Sequence, residues 1–235
     1  MSIDEHEVVS RPEWLEARLR LLAKEKELTK LRDEISAARR ALPWVRLEKS
    51  YTFEGERGAV TLEELFAGRS QLIVYHFMFD PSWEAGCKSC SFWADNFERN
   101  VVHLEHRDTS LVAISRAPLE KLHAFRSRMG WTFPWVSSSG SDFNYDFGVS
   151  FTPEEIAAGR AAYNFGTQTR VGPEMPGISV FFRTASHEIF HTYSTYSRGL
   201  DMTNAAYHLL DLVPKGRDES DGNMAWLRRR DEYER

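Results

Sequence analysis

The chain has 235 residues, 42% of them hydrophobic and 28% charged, which suits one globular domain with a full core and an appendage. Its formal net charge of −5 provides no basic surface, so neither nucleic acid nor an anionic membrane is an expected partner. The N-terminus is polar and acidic, and no apolar run approaches the roughly 20 residues that span a bilayer. These features predict a cytoplasmic protein.

Residues 10–42 are predicted to form one long helix. Ser10 and Glu13 have the spacing of a capping box, Pro12 falls in the first turn, and Pro43 ends the pattern. Apolar residues recur at steps of three and four along one face: Leu15, Leu19, Leu22, Leu28, Leu31, Ile35 and Ala38. The pattern fits two alternatives, an arm packed on its own domain and a helix that forms a homodimer.

Short strands and helices alternate from Tyr51 onward, and 140–175 is a long excursion rich in Gly, Asn, Asp and Pro. The predicted strands are 71–79, 110–115, 131–139, 177–183 and 188–196, the last two forming a hairpin, and the predicted helices are 91–107, 118–130 and 200–214. This order predicts an α/β sandwich with a mixed sheet. We divide the chain into a helical arm at 1–45, the α/β domain at 46–215 and a polar C-terminal tail at 216–235.

The run His187-Glu188-Ile189-Phe190-His191 spells the H-E-x-x-H signature of zinc proteases. That signature works on a helix, where positions i and i+4 stack and both imidazoles reach one ion. Here it lies in an alternating run of β-branched and aromatic residues. On a strand the two histidines stand roughly 13 Å apart, too far to share a zinc ion. We therefore predict no metal site there.

The two cysteines of the chain, Cys87 and Cys90, form one C-x-x-C between a predicted buried strand and a predicted helix. A thiol at a helix N-terminus faces unpaired N–H groups and the positive end of the helix dipole, which stabilise the thiolate. This placement favours a redox dithiol in which Cys87 is the nucleophile and Cys90 resolves. Two alternatives remain open, an inert reduced pair and a zinc site completed by histidines.

Two neighbours of the dithiol are candidate substrate-binding residues. Trp83, four residues before Cys87, could form an apolar lip over the sulfurs or belong to the core. His76 lies in the strand that leads to the motif. It could accept a proton from Cys90 if its ring points that way, and is otherwise a core histidine.

Several long strings give the chain a family resemblance, with "LIVYHFMFDPSWEAGCKSCSFWADNF", "SRAPLEKLHAFRSRMGWTFPWVSS", "HTYSTYSRGLD" and "LDLVPKGRDE" the clearest. With these strings and its N-terminal helix, the chain resembles a bacterial thioredoxin-like family. That family is catalogued as domain-of-unknown-function family 899 and described as predicted dithiol-disulfide oxidoreductases. The resemblance implies a thioredoxin-like three-layer fold with Cys87 and Cys90 carrying any redox chemistry.

The sequence departs from better-known relatives of this fold. Thioredoxin has a tryptophan directly before its first cysteine, where this chain has Gly86, and a buried acid where His76 aligns. The nearest counterpart of its cis-proline is Pro176, offset by one residue, and the resemblance makes Pro176 a third candidate substrate-binding residue. Peroxiredoxins use P-x-x-x-T-x-x-C, whereas "PSWEAGC" is one residue shorter with Glu84 in the place of the threonine.

These observations together predict a dithiol-disulfide oxidoreductase that acts on a disulfide-containing protein or a small thiol compound and requires no bound cofactor. The alternatives are a thiol peroxidase with Cys87 as the peroxidatic cysteine and a non-catalytic binding module. The substrate, the reductant and the direction of electron flow do not follow from the sequence.

Overall fold

The computed structural model describes residues 6–220 and 222–234, and the chain divides into two units, Met1–Pro43 and Trp44–Arg235. The first unit contains α1, Arg11–Arg40, which confirms the predicted long helix. Its start is fixed by Ser10, whose backbone N–H and hydroxyl both donate to the Glu13 carboxylate at 2.9 and 2.6 Å. Arg39 and Arg40 lie in the last turn, where a positive charge stabilises the helix by interacting with the negative end of its dipole.

The second unit is built on one eight-stranded sheet of order β1-β8-β7-β4-β5-β6-β2-β3. The strands are β1 Val45–Arg46, β2 Thr52–Gly55, β3 Gly58–Thr61, β4 Gln71–His76, β5 Thr109–Ser115, β6 Trp135–Ser137, β7 Gly177–Arg183 and β8 Ile189–Tyr196. At its centre β4 runs parallel to β5 and antiparallel to β7, and β7 and β8 form the predicted hairpin. The mixed sheet is therefore as predicted.

Helices cover both faces of this sheet. They are α2 Lys88–Phe97, α3 Val101–Glu105, α4 Leu119–Met129, α5 Phe143–Asp146, α6 Pro153–Ala157 and α7 Ala205–Leu210, with 3-10 helices at Glu64–Phe66 and Ser197–Thr203. The core between the sheet and α2, α4 and α7 includes Tyr75 and Trp93. The core on the opposite face includes Val74, Phe66 and Phe143. The result is a thioredoxin-like three-layer α/β fold.

Some elements differ from their predicted extents. The helix predicted over 91–107 begins earlier and is two helices, α2 and α3, and the helix predicted over 200–214 is a 3-10 turn followed by α7. The break between this 3-10 turn and α7 occurs at Asn204, whose side chain accepts a hydrogen bond from the Tyr207 N–H at 3.2 Å and caps α7. Within the predicted polar tail, Leu227 is fully buried and the Trp226 ring packs on Phe92.

No helix in the described part of the chain is long and apolar enough to cross a membrane.

Candidate dithiol site

Cys87 and Cys90 lie beyond the carboxyl end of β4, where the chain turns into α2. Cys87 is the N-cap residue of α2 and Cys90 is in its first turn, and both are free thiols. The backbone of Met78 holds both cysteines in place. Its carbonyl accepts from the Cys87 N–H at 3.1 Å, and its N–H donates to the Cys90 sulfur at 3.4 Å. The dithiol is thereby fixed to the segment that directly follows β4, the central strand of the sheet.

Gly86 occupies a tightly enclosed place directly before Cys87. A Cβ at this position would lie 2.7 Å from Phe77 Cε1 and 2.8 Å from Phe125 Cε1, closer than such atoms approach. The glycine thus lets the backbone pass between two core rings directly before the half-buried Cys87. A tryptophan before Cys87, as thioredoxin has, does not fit this packing.

The surroundings of the Cys87 sulfur favour its thiolate. The neighbouring Cys90 thiol has the largest effect, which outweighs the opposing effect of burial and lowers the Cys87 pKa to about 6. The Ser89 hydroxyl, 3.1 Å from the sulfur, lowers the pKa further. The backbone N–H groups of Ser89 and Cys90 add to this effect by facing the sulfur, although neither forms a capping hydrogen bond of ordinary geometry.

Cys90 has the opposite electrostatic character. Burial raises its pKa well above the usual thiol value, and the neighbouring Cys87 raises the pKa further. Its side chain is inside the core, at 1% exposure. The Tyr75 hydroxyl donates to the Cys90 carbonyl at 3.3 Å and lies on the same face of the sheet. The pair therefore consists of an outer, acidic thiol and an inner thiol that retains its proton.

A cavity of about 460 Å³ borders the inner thiol. Its wall includes Cys90, Tyr75, Tyr163, Pro176 and Met224. The Tyr163 hydroxyl accepts from the Ser197 N–H at 2.7 Å and donates to the carbonyl oxygen of Pro176. Cavities of this volume are in the range that holds small organic ligands.

The structure brings only part of the predicted substrate-binding set to the dithiol. Pro176 lines the cavity beside Cys90, and its peptide bond is trans, as are all peptide bonds of the described residues. Trp83 is half-buried and packs on the core cluster that holds Cys90, and its carbonyl accepts from Lys121 Nζ at 3.0 Å. His76 lies on the opposite face of the sheet, where its ring stacks on Phe143.

His76 begins a buried chain of hydrogen bonds that runs across three strands. Its Nε2 lies 2.8 Å from the Ser179 hydroxyl, which lies 2.8 Å from that of Ser194, which in turn is 2.7 Å from His191 Nε2. Burial lowers the His76 pKa to about 3 and also lowers that of His191. Both rings are therefore neutral at neutral pH. His76 is a core residue with no contact to the sulfurs.

The H-E-x-x-H run lies on a turn and a strand, as the alternating pattern of its side chains predicted. His187 has φ of +65° in the turn before β8 and contacts Glu63, while His191 is within β8. The described residues contain no group of three or more His, Cys, Asp or Glu side chains that could hold a metal ion.

The C-terminal segment supplies site residues that the sequence did not predict. The Arg229 guanidinium donates two hydrogen bonds to the Gly86 carbonyl, at 3.1 Å from Nε and 2.8 Å from Nη2. Glu219 accepts from Tyr207 at 2.8 Å and from Trp226 at 3.1 Å, which closes this segment over the cavity. The apolar run "MAWL" within a polar tail was the one signal of this packing.

A family model described as "Bacterial protein of unknown function (DUF899)" matches residues 3–233. The sequence has no significant match among curated proteins.

The solved structures similar to this chain include peroxiredoxins. Peroxidoxin BcpB from Mycobacterium tuberculosis is 14% identical with a TM-score of 0.46, over 70% of this chain and 94% of that one. Peroxiredoxin Q from Xanthomonas campestris is 13% identical with a TM-score of 0.46, over 72% and 94%. The mitochondrial 2-Cys peroxiredoxin from Plasmodium falciparum is 11% identical with a TM-score of 0.41, over 76% and 95%. No activity follows from likenesses this distant.

Proposed function

The chain belongs to the DUF899 family, and we propose that it is a thiol-disulfide oxidoreductase in which Cys87 and Cys90 exchange electrons with a substrate disulfide. The observation that carries this proposal is the asymmetry of the pair. Cys87 is half-buried with a pKa of about 6, so it is mainly thiolate at neutral pH. Cys90 is buried and retains its proton, because burial and the neighbouring Cys87 raise its pKa.

The first step is attack of the Cys87 thiolate on one sulfur of a substrate disulfide. A bond forms between Cys87 Sγ and that sulfur, the substrate S–S bond breaks, and the other sulfur leaves as a thiolate that takes a proton from solvent. Loss of the Cys87 negative charge removes one cause of the high Cys90 pKa, since that charge opposes ionisation of Cys90.

In the second step Cys90 releases its proton and attacks Cys87 Sγ. The Cys87–Cys90 disulfide forms, the mixed disulfide breaks, and the second substrate sulfur leaves and takes up the proton. The substrate gains two electrons and becomes two thiols, while the protein is oxidised by the same two electrons. A cellular thiol, small or protein-borne, returns the dithiol to its reduced form.

The test uses the full chain with oxidised glutathione as the small disulfide and insulin as the protein disulfide, followed by mass spectrometry. We expect the wild-type chain to form an internal Cys87–Cys90 disulfide, Cys90→Ser to retain a mixed disulfide on Cys87, and Cys87→Ser to remain unmodified. The two variants serve as controls for each other, because each retains one of the two thiols.

Two results would contradict the proposal. Rapid sulfenic acid formation at Cys87 with micromolar hydrogen peroxide, without reaction with either disulfide, indicates a thiol peroxidase. A Cys87 that reacts with neither class of oxidant indicates a non-catalytic binding module.

A further inference from the structure

Helix α1 carries a seven-residue repeat of exposed apolar side chains. Trp14, Leu21, Leu28 and Ile35 are spaced by seven and are exposed to 44, 51, 48 and 41%. Within α1, all of which the structure describes, no residue is buried. A regular repeat of seven is the spacing that keeps one helix face turned toward a partner helix in a coiled coil.

With these four residues at heptad position a, the d positions carry a weaker apolar pattern. They are occupied by Ala17, Lys24, Leu31 and Ala38. The helix spans about 45 Å, which is about four heptads. Lys24 is the one charged residue among these a and d positions, and a polar residue in the seam lowers the stability of the pair.

The charged residues that flank this face determine which partner fits it. Position g, directly before each a residue, is occupied by Glu13, Arg20, Glu27 and Glu34. Position e, four after each a residue, is occupied by Arg18, Glu25, Arg32 and Arg39. In a parallel pair of helices each g residue faces the e residue five positions further along the other helix. Two copies of α1 then place opposite charges together in all four pairs: Glu13 with Arg18, Arg20 with Glu25, Glu27 with Arg32, and Glu34 with Arg39.

An antiparallel pair of the same helices lacks this complementarity. That orientation matches e with e and g with g. Position e holds three arginines and one glutamate, and position g holds three glutamates and one arginine. When all four e residues are paired, at least two of the pairs are Arg with Arg. When all four g residues are paired, at least two of the pairs are Glu with Glu. The charges thus favour the parallel orientation.

Arg18 and Glu25 contact each other within the single chain, 2.7 Å apart, with side chains exposed to 36 and 44%. Exposed ion pairs of this kind contribute little to stability. Both side chains can therefore turn toward a partner helix at little cost.

We propose that α1 pairs with α1 of a second copy of this chain as a parallel two-stranded coiled coil, with the a and d residues above in the seam and the four charge pairs along its edges. This pairing involves only α1 and is independent of the proposed redox function.

The first test is cross-linking in the full chain, with Cys87→Ser and Cys90→Ser removing the native thiols. Leu21→Cys and Ile35→Cys place one thiol at position a near each half of the helix. In a parallel pair each thiol faces its own copy, so both variants should form cross-linked dimers on mild oxidation. Leu19→Cys, at the outer position f and of similar exposure (54%), is the matched control and should remain monomeric.

The second test exchanges the flanking charges and measures mass by sedimentation. The unmodified chain should sediment at twice its 27.2 kDa mass. The double variants Glu27→Arg/Glu34→Arg and Arg32→Glu/Arg39→Glu should each dimerise at least tenfold more weakly, whereas their mixture should dimerise like the unmodified chain.

Three outcomes would overturn the proposal: an unmodified chain that is monomeric at micromolar concentration, Leu19→Cys cross-linking as fast as Leu21→Cys, or a mixture of the charge variants that remains monomeric.

Discussion

Arg229 and Gly86 are 143 residues apart in the chain, yet the Arg229 guanidinium holds the carbonyl of Gly86 through two hydrogen bonds, at 3.1 and 2.8 Å. Glu232 holds the same guanidinium through Nη1 at 2.8 Å. Gly86 directly precedes Cys87, so the C-terminal segment fixes the turn that presents the outer thiol. It also brings a positive charge to that turn.

Arg229→Ala should raise the pKa of Cys87, because the substitution frees the turn and removes a nearby cation. It should also lower the free energy of unfolding by about 1.5–3 kcal/mol, the range for hydrogen bonds that involve a charged group. The pH profile of Cys87 alkylation measures the first effect, and urea unfolding measures the second. Arg230→Ala, which removes a contact with Asp95 at 3.3 Å and leaves the hydrogen bonds to Gly86 in place, is the control. An equal shift in both variants would contradict a specific role for Arg229.

Gly86→Ala should destabilise the reduced protein by about 1–3 kcal/mol, because its Cβ overlaps the rings of Phe77 and Phe125. Adding Phe125→Leu should recover part of the loss, since the smaller side chain relieves one of the two overlaps. Gly140→Ala is the matched control, as a Cβ there meets nothing within 4 Å. Urea unfolding of the reduced chains measures all three, and equal stability of the two alanine variants would refute the packing argument.

Alkylation of Cys87 by iodoacetamide should be half-maximal near pH 6 and level above about pH 7, in keeping with a pKa of about 6. The thiol loses its proton at lower pH in the folded chain than in the unfolded one. The reduced fold should therefore gain stability as the pH rises from about 6 to the ordinary thiol value of about 8.5, and lose that contribution as the pH falls.

Ser89→Ala should shift the alkylation profile of Cys87 to higher pH, because it removes a hydroxyl 3.1 Å from the sulfur. If the alkylation rate of Cys87 in the unmodified chain instead keeps rising up to pH 9, as it does for an ordinary thiol, the low pKa of Cys87 is refuted.

His76 should make the fold sensitive to acid. Its pKa is about 3 in the folded chain and about 6.5 when unfolded, so the unfolded state binds the proton first as the pH falls. Between pH 7.5 and pH 5 this difference removes about 2 kcal/mol of stability. His76→Phe retains an aromatic ring in the stack with Phe143 and should lose that part of the pH dependence.

The exposed His208 provides the control for this measurement, as His208→Gln should leave the acid sensitivity in place. Urea unfolding at pH 7.5 and pH 5 measures the free energy of unfolding of each variant and so its acid sensitivity. An unchanged slope in His76→Phe would show that another group, such as His191, is responsible.

Local sequence patterns determined much of this protein. The spacing of Ser10, Glu13 and Pro43 marks the bounds of the long helix, because capping and helix termination are local interactions. Alternation around His191 predicted a strand rather than a zinc-binding helix, since side-chain period is a property of neighbouring residues. The placement of Cys87 and Cys90 at the start of a helix also followed from local order.

Tertiary packing decided the rest of the candidate site. The face to which His76 points depends on which strand surface meets α2, and two neighbouring residues, Tyr75 and His76, face opposite cores. Arg229 reaches Gly86 from the far end of the chain, and no spacing or periodicity encodes a contact across 143 residues. Local sequence patterns predict the conformation of the nearby backbone, whereas long-range contacts depend on how the completed helices and strands pack together.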